Sequence, residues 1–227
     1  MKKILLSIIL YLFLSVNTFG HLQHYNEVNY LEYDLYRNNQ LIGSHKYEFT
    51  KNNDKLTVKS VVNFKITKLG IDLYKYFAES TENYKQNKFE SFNSTTIQNK
   101  KSKYVNIKSN SEKSNLLIDG SSYKGDADKN FMVGTWWNHE IVKAKAQISA
   151  ISGRIIYQKV NFLGKKQLVI NGKTYEALHF KFLSSDETLP DNKKLNTDIW
   201  YDAKTLIWLK AQFIKQGNWE YRLKKHN

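Results

Sequence analysis

The stretch Leu56-Thr57-Val58-Lys59-Ser60-Val61-Val62-Asn63-Phe64-Lys65-Ile66 repeats with a period of two. Leu56, Val58, Val62, Phe64 and Ile66 fall on one face, Thr57, Lys59, Asn63 and Lys65 on the other, and only Ser60 and Val61 blur the split. A segment with this period buries one side of an antiparallel strand and wets the other. Similar runs occupy approximately 28–37, 40–50, 73–85, 89–98, 103–109, 115–119, 154–163, 167–171, 174–184, 197–202, 205–215 and 218–224. Turn residues separate them: Asn38-Asn39, Asn52-Asn53-Asp54, Asn87-Lys88, Asn171-Gly172 and Gly217-Asn218. Asn171-Gly172, set between two apolar runs, is the strongest hairpin signal in the chain. The pattern predicts a mainly β protein: a single antiparallel, strongly curved sheet or half-barrel of about ten to twelve strands.

Trp136-Trp137-Asn138-His139-Glu140-Ile141-Val142 departs from that pattern and runs into helix-favouring Lys143-Ala144-Lys145-Ala146. Asn138 can cap a first turn, with Glu140 near its positive end, so one short helix is expected over roughly 139–148. The glycine- and charge-rich stretch Asp119 to Asn130 reads as a mobile loop. Neither a fixed-period repeat nor a Pro-, Gly- or Ser-rich linker interrupts residues 21–227, which read as one β-rich domain.

Lys2 and Lys3 precede an apolar run from Ile4 to Val16, followed by Asn17-Thr18-Phe19-Gly20. That order of positive start, apolar stretch and small residues predicts a signal peptide over 1–20, cut near Gly20. The expected product is an exported protein, periplasmic or secreted, soluble once cut. His21 would then lead the mature chain with His24 close behind, a pair that could bind copper if the fold supplied a further histidine.

The 227 residues include no cysteine, one proline and ten glycines, and 35 Lys+Arg stand against 21 Asp+Glu, a net +14. Without cysteine there is no disulfide framework, thiolate metal site or cysteine nucleophile. Only Arg37, Arg154 and Arg222 supply the bidentate fork that nucleic-acid readers favour, so no nucleic-acid partner is expected. Lysine spread along strands fits solvated faces, and its summed field fits attraction to an anionic membrane surface.

Chemistry-bearing motifs are few. No phosphate loop, GxSxG elbow, HExxH helix or calcium loop occurs, and no cofactor is expected. Asp186, Glu187 and Asp191 share a loop around Pro190 without calcium-loop spacing. His45 is in phase with Tyr47 and Phe49, His179 lies opposite Leu178, Phe180 and Phe182, and His139 follows the tryptophan pair. Three such imidazoles could serve a hydrolase or a metal-dependent enzyme if the fold gathered them. Trp200 and Trp208 give their strands apolar side chains on both faces, as a ligand or a lid would require.

Tyr33-Asp34-Leu35-Tyr36-Arg37, Ile42-Gly43-Ser44-His45, Thr135-Trp136-Trp137-Asn138 and Asp198-Ile199-Trp200-Tyr201-Asp202, with Tyr221-Arg222-Leu223 near the end, resemble an exported bacterial family of unknown function. That family looks distantly similar to the LolA and LolB half-barrels, in which a concave sheet holds acyl chains. The resemblance implies a carrier of a lipid or other hydrophobic small molecule, with Trp136, Trp137, His139, Trp200 and Trp208 at the mouth of the curved sheet. The chain departs from the LolB pattern in lacking a lipobox cysteine and in its lysine excess. An enzyme using His45, His139 or His179 and an assembly factor that accepts a partner strand are the alternative readings.

Overall fold

The computed structural model describes residues 21–227, so the expected signal peptide lies outside the described residues. Eight strands follow one another as antiparallel neighbours: β1 (Tyr30–Arg37), β2 (Gln40–Asn52), β3 (Lys55–Lys68), β4 (Ile71–Lys85), β5 (Lys88–Gln98), β6 (Lys101–Asn110), β7 (Asn115–Gly120) and β8 (Lys124–Asp128). Two short strands follow, β9 (Met132–Val133) and β10 (Ala146–Ile148). A second antiparallel run closes the chain: β11 (Ile155–Ile170), β12 (Lys173–Ser184), β13 (Asn196–Asp202), β14 (Trp208–Ile214) and β15 (Asn218–His226). β15 pairs with β1, with Leu31 opposite His226, so the two runs join into one curved sheet in the order β8 to β1, then β15 back to β9.

The sheet is mainly β and curved as the sequence predicts, but it has fifteen strands rather than ten to twelve, and it is mixed because β9 and β10 pair in parallel. The expected helix over 139–148 shrinks to the single 3-10 turn His139–Lys143. Asn138 does cap it, accepting from the Glu140 amide at 3.1 Å, but Ala144 is already extended. Ala146, Gln147 and Ile148 are all buried and pair with β11, so tertiary pairing overrides the helix preference of the Lys-Ala run. The stretch read as a mobile loop contains β8, whose one buried residue, Ala127, left no period to detect. The runs 154–163 and 167–171 are one strand, β11, whose register shifts between Phe162 and Lys165.

On β3 the buried positions are Val58, Ser60, Val62 and Phe64. Ser60, the one polar residue on that inward face, is satisfied there by its hydroxyl pairing with His45 Nε2 at 3.0 Å. Tight two-residue turns carry left-handed residues, Asn38 and Asn39 (φ 50° and 63°), Gln86 and Asn87 (50° and 61°), Asn171 and Gly172 (50° and 78°). Those angles match the right-handed twist of hairpin strands. The main core gathers Leu31, Tyr33 and Leu35 of β1 with Phe182, Ile199 and Tyr201 of the second run. A smaller one holds Phe92, Val105, Ile107, Ile118, Val133 and Ile148, where β5 to β7 face β9 and β10.

Antiparallel order sorts the turns onto two ends of the sheet. Turns at 38–39, 69–70, 99–100 and 215–217 share one, here the tip end, where Asn38 donates to the Asn218 carbonyl at 2.8 Å. Turns at 53–54, 86–87, 111–114 and 171–172 share the other. Residues 21–29 close that second end: the Asn29 amide bonds the Asn227 carbonyl, Lys51 Nζ bonds the Val28 carbonyl, and Tyr25 is wholly buried.

Gly43 shows how closely β2 and β3 approach. A Cβ there would stand 2.1 Å from the Asn63 carbonyl oxygen, inside any tolerated contact. Gly43→Ala should therefore cost about 1–3 kcal/mol through forced strand displacement. Urea unfolding reads this as a lower midpoint, and an unchanged midpoint would refute the steric argument.

Candidate functional site

At the plugged end, the segment Thr135 to Asn138 enters the core with its backbone held by phenols. Tyr47 Oη donates to the Thr135 carbonyl at 2.5 Å and Tyr201 Oη to the Trp136 carbonyl at 2.9 Å. Tyr25 Oη, which donates to the Leu206 carbonyl at 3.2 Å, accepts the His139 amide at 3.1 Å. Trp136 sits at φ 62°, a left-handed conformation that costs a bulky residue about 1–3 kcal/mol and persists only where its surroundings enforce it.

The segment converges on Glu82 of β4. Trp137 Nε1 donates to Glu82 Oε2 at 2.9 Å, Thr135 Oγ1 donates to the same oxygen at 3.3 Å, and Tyr84 Oη donates to Oε1. Burial pushes the Glu82 carboxyl above its ordinary range and outweighs these three donors, which pull it down. Glu82 and Tyr84 form the inner wall of a cleft of about 360 Å³. Its apolar lining comes chiefly from Phe89, Leu116, Phe131, Met132 and Val133, and Lys129, Glu140 and Lys143 bring charge to it. Glu140 is engaged on both sides, by His139 Nε2 at 3.0 Å and by Lys143 Nζ at 2.9 Å. The arrangement can bury an apolar chain and meet a charged group with lysine, while a shielded carboxyl presents its hydrogen-bonding edge.

Four of the five residues expected at the mouth gather here. Trp137 packs edge-on to Tyr25 (5.1 Å), His139 lies near Tyr25 and Tyr201 (6.4 Å each), and Trp136 meets Trp208 edge-on (5.6 Å). They form core more than rim: Trp137 and Trp208 are fully buried, and Trp208 stacks on Tyr33 at 4.1 Å. Trp200 does not join them. It turns to the opposite face of β13, stacked on His179 at 4.3 Å with Lys210 Nζ over its ring.

The three histidines considered for catalysis stand on separate elements with separate partners. His45 is buried against Ser60, His139 abuts Glu140, Tyr25 and His24, and His179 donates to Asp198 at 2.8 Å. Among the described residues no group of three His, Cys, Asp or Glu could hold a metal ion. Sequence reasoning missed Glu82 and the tyrosines around it. The available signal was its phase: Tyr74, Tyr76, Ala78, Ser80, Glu82 and Tyr84 share one face of β4, which sets a carboxylate among inward residues.

A family model described as a domain of unknown function, DUF6134, matches residues 33–224. The chain belongs to the DUF6134 family. Among solved structures, this DUF6134 chain is similar to the beta-barrel-like protein of DUF1849 from Brucella abortus, with a TM-score of 0.62 and 13% identity over 88% of this chain and 97% of that one. At that identity the likeness concerns the fold, and a β-barrel-like architecture agrees with the curved sheet of this DUF6134 member. No curated protein matches the chain. Among its described residues no helix is long and apolar enough to cross a membrane.

Proposed function

We propose that this protein is a binding module that carries a hydrophobic ligand with an anionic head, such as a fatty acid or lipid fragment, in the cleft beside Glu82. The observation that carries the reading is the cleft itself, lined by Phe89, Leu116, Phe131, Met132 and Val133, flanked by Lys129 and Lys143, and walled by a buried carboxyl. Its volume of about 360 Å³ falls in the range of small-molecule sites. Each methylene buried there contributes about 0.8 kcal/mol. The resemblance of the sequence motifs to a family that looks like LolA- and LolB-type half-barrels implies the same ligand class, and the cleft would put the entrance at Met132 and Lys143 instead of across the four tryptophans. The separate partners of His45, His139 and His179 favour binding over catalysis. Strand addition is the second reading, because β10 pairs only with Ile155, Ile156 and Tyr157 and the length of β11 from Lys159 to Ile170 has no strand on that side among the described residues.

The test is titration of delipidated protein with dansyl-undecanoic acid, read by fluorescence. The native chain should bind it. Met132→Glu should weaken binding by at least about tenfold, since it sets a charge against the acyl chain. Reversing Lys129 and Lys143 to glutamate should weaken it by roughly three- to tenfold and remove its salt dependence. A native chain that leaves the probe unbound would overturn the proposal.

A further inference from the structure

The tip end has a surface chemistry of its own, and its centre is the β3–β4 hairpin. The hairpins at 38–39, 53–54, 86–87, 99–100 and 171–172 all turn on asparagine, whereas this one turns on Leu69-Gly70. Leu69 adopts φ 51°, which a leucine tolerates poorly, and is 93% exposed. Ile71 is 66% exposed and Leu73 56%, and Leu41, which opens the neighbouring β2, is 56% exposed. Nothing in the packing of the chain itself calls for an apolar residue at these positions.

Basic side chains surround this apolar point. Across residues 37–44, 63–77 and 95–103 there are seven Lys or Arg and one acid, Asp72. Asp72 is occupied by Lys75 at 3.1 Å and Lys65 at 3.8 Å, and the Asn99 amide bonds the Lys75 carbonyl, which draws the turn carrying Lys100 and Lys101 alongside. Exposed aliphatic side chains at an extremity, collared by lysine, match the interface of a bilayer that carries negative headgroups: the aliphatics enter the acyl boundary and the ammonium groups stay at headgroup level.

We propose that the Leu69–Leu73 tip is a membrane-docking element that inserts Leu69 and Ile71 into an anionic lipid surface. A protein partner would use directional contacts and satisfy backbone groups, whereas the turn offers only apolar side chains and point charges. The tip lies at the opposite end from the cleft, so this proposal stands or falls separately from the carrier reading.

Vesicle sedimentation tests it, with the purified chain mixed with phosphatidylcholine vesicles and with vesicles of phosphatidylcholine and phosphatidylglycerol. The native chain should sediment with the anionic vesicles only and be released by high salt. The doubly substituted Leu69→Asn, Ile71→Asn chain should partition roughly a hundredfold less well while keeping its β circular-dichroism spectrum and its dansyl-undecanoate binding. Because the chain has no cysteine, Leu69→Cys can carry a single polarity-sensitive dye. Its emission should shift to the blue on anionic vesicles, and the same dye on Lys113→Cys, in a turn at the plugged end, should not shift. Failure of the native chain to sediment, equal sedimentation of the double variant, or a dye at 69 that stays in water while the protein sediments would each overturn the proposal.

Discussion

Truncation of Trp137 to alanine is expected to lower stability by about 3–5 kcal/mol, at the upper end for a single core substitution. The indole is wholly buried, packs against Tyr25, Phe49 and Tyr84, and gives its N–H to Glu82. Its removal leaves a cavity and takes a donor from a carboxyl that is almost wholly buried. Trp137→Phe separates the two effects: most of the volume stays, the donor goes, and the expected loss is about 1–3 kcal/mol. Trp136 provides the contrast, because it is half-buried and its Nε1, though shielded, has no partner among the described residues. Trp136→Phe should therefore cost less than Trp137→Phe. Urea denaturation measures all three variants, and equal losses for the two phenylalanine variants would refute the role given to the Glu82 bond.

The second large effect is acid sensitivity through His45. Burial pushes its imidazole from 6.5 down to about 3. Above pH 6.5 the ring is neutral whether the chain is folded or not. As pH falls below 6.5 the unfolded chain takes up a proton that the folded chain refuses, so stability drops by about 1.4 kcal/mol per pH unit until the folded ring also titrates. Glu82 acts in the opposite sense. Its folded pKa is raised above the ordinary 4.5, so its contribution is full below that value and is lost as pH rises through the folded pKa. Just above 4.5 the two slopes oppose one another. His45→Gln keeps a partner for Ser60 and should make the acid-side loss shallower, the remainder coming from His179 and His226, whose imidazoles burial also pushes down. Stability measured by denaturant at several pH values decides this, and an unchanged acid slope in the variant would exclude His45 as its source.

Legibility followed the physics of each element. Strands with one wet face announced themselves by alternation, as β3 did, and the Asn-rich turns marked their ends. β8, β9 and β10 stayed hidden because short strands at a sheet edge carry too few residues to show a period, and their pairing is decided by partners distant in sequence. Residues Lys143 to Ala146 expressed a local helix preference that β11 overrode. The aromatic segment at 136–139 was legible as special, yet its depth in the core was not, because the bonds from Tyr47 and Tyr201 span 88 and 65 positions. Trp200 looked like the other tryptophans in sequence, and only the pairing of β12 with β13 shows that it faces away from them. Glu82 was readable in principle from its phase on β4, where a lone carboxylate keeps company with tyrosines.

The place of β15 in the sheet bears on the order of events during synthesis. A ribosome delivers residues 218–226 after the other fourteen strands, yet they belong in the middle of the sheet, between β1 and β14. Until they emerge, the nascent chain can build only two separate ribbons, and the long flanks of β1 and β14 stay open to wrong pairing. A chain cut short before β15 leaves the seam between β1 and β14 open and exposed to proteolysis. Such a topology suits a polypeptide kept extended until β15 is available, and then folded all at once.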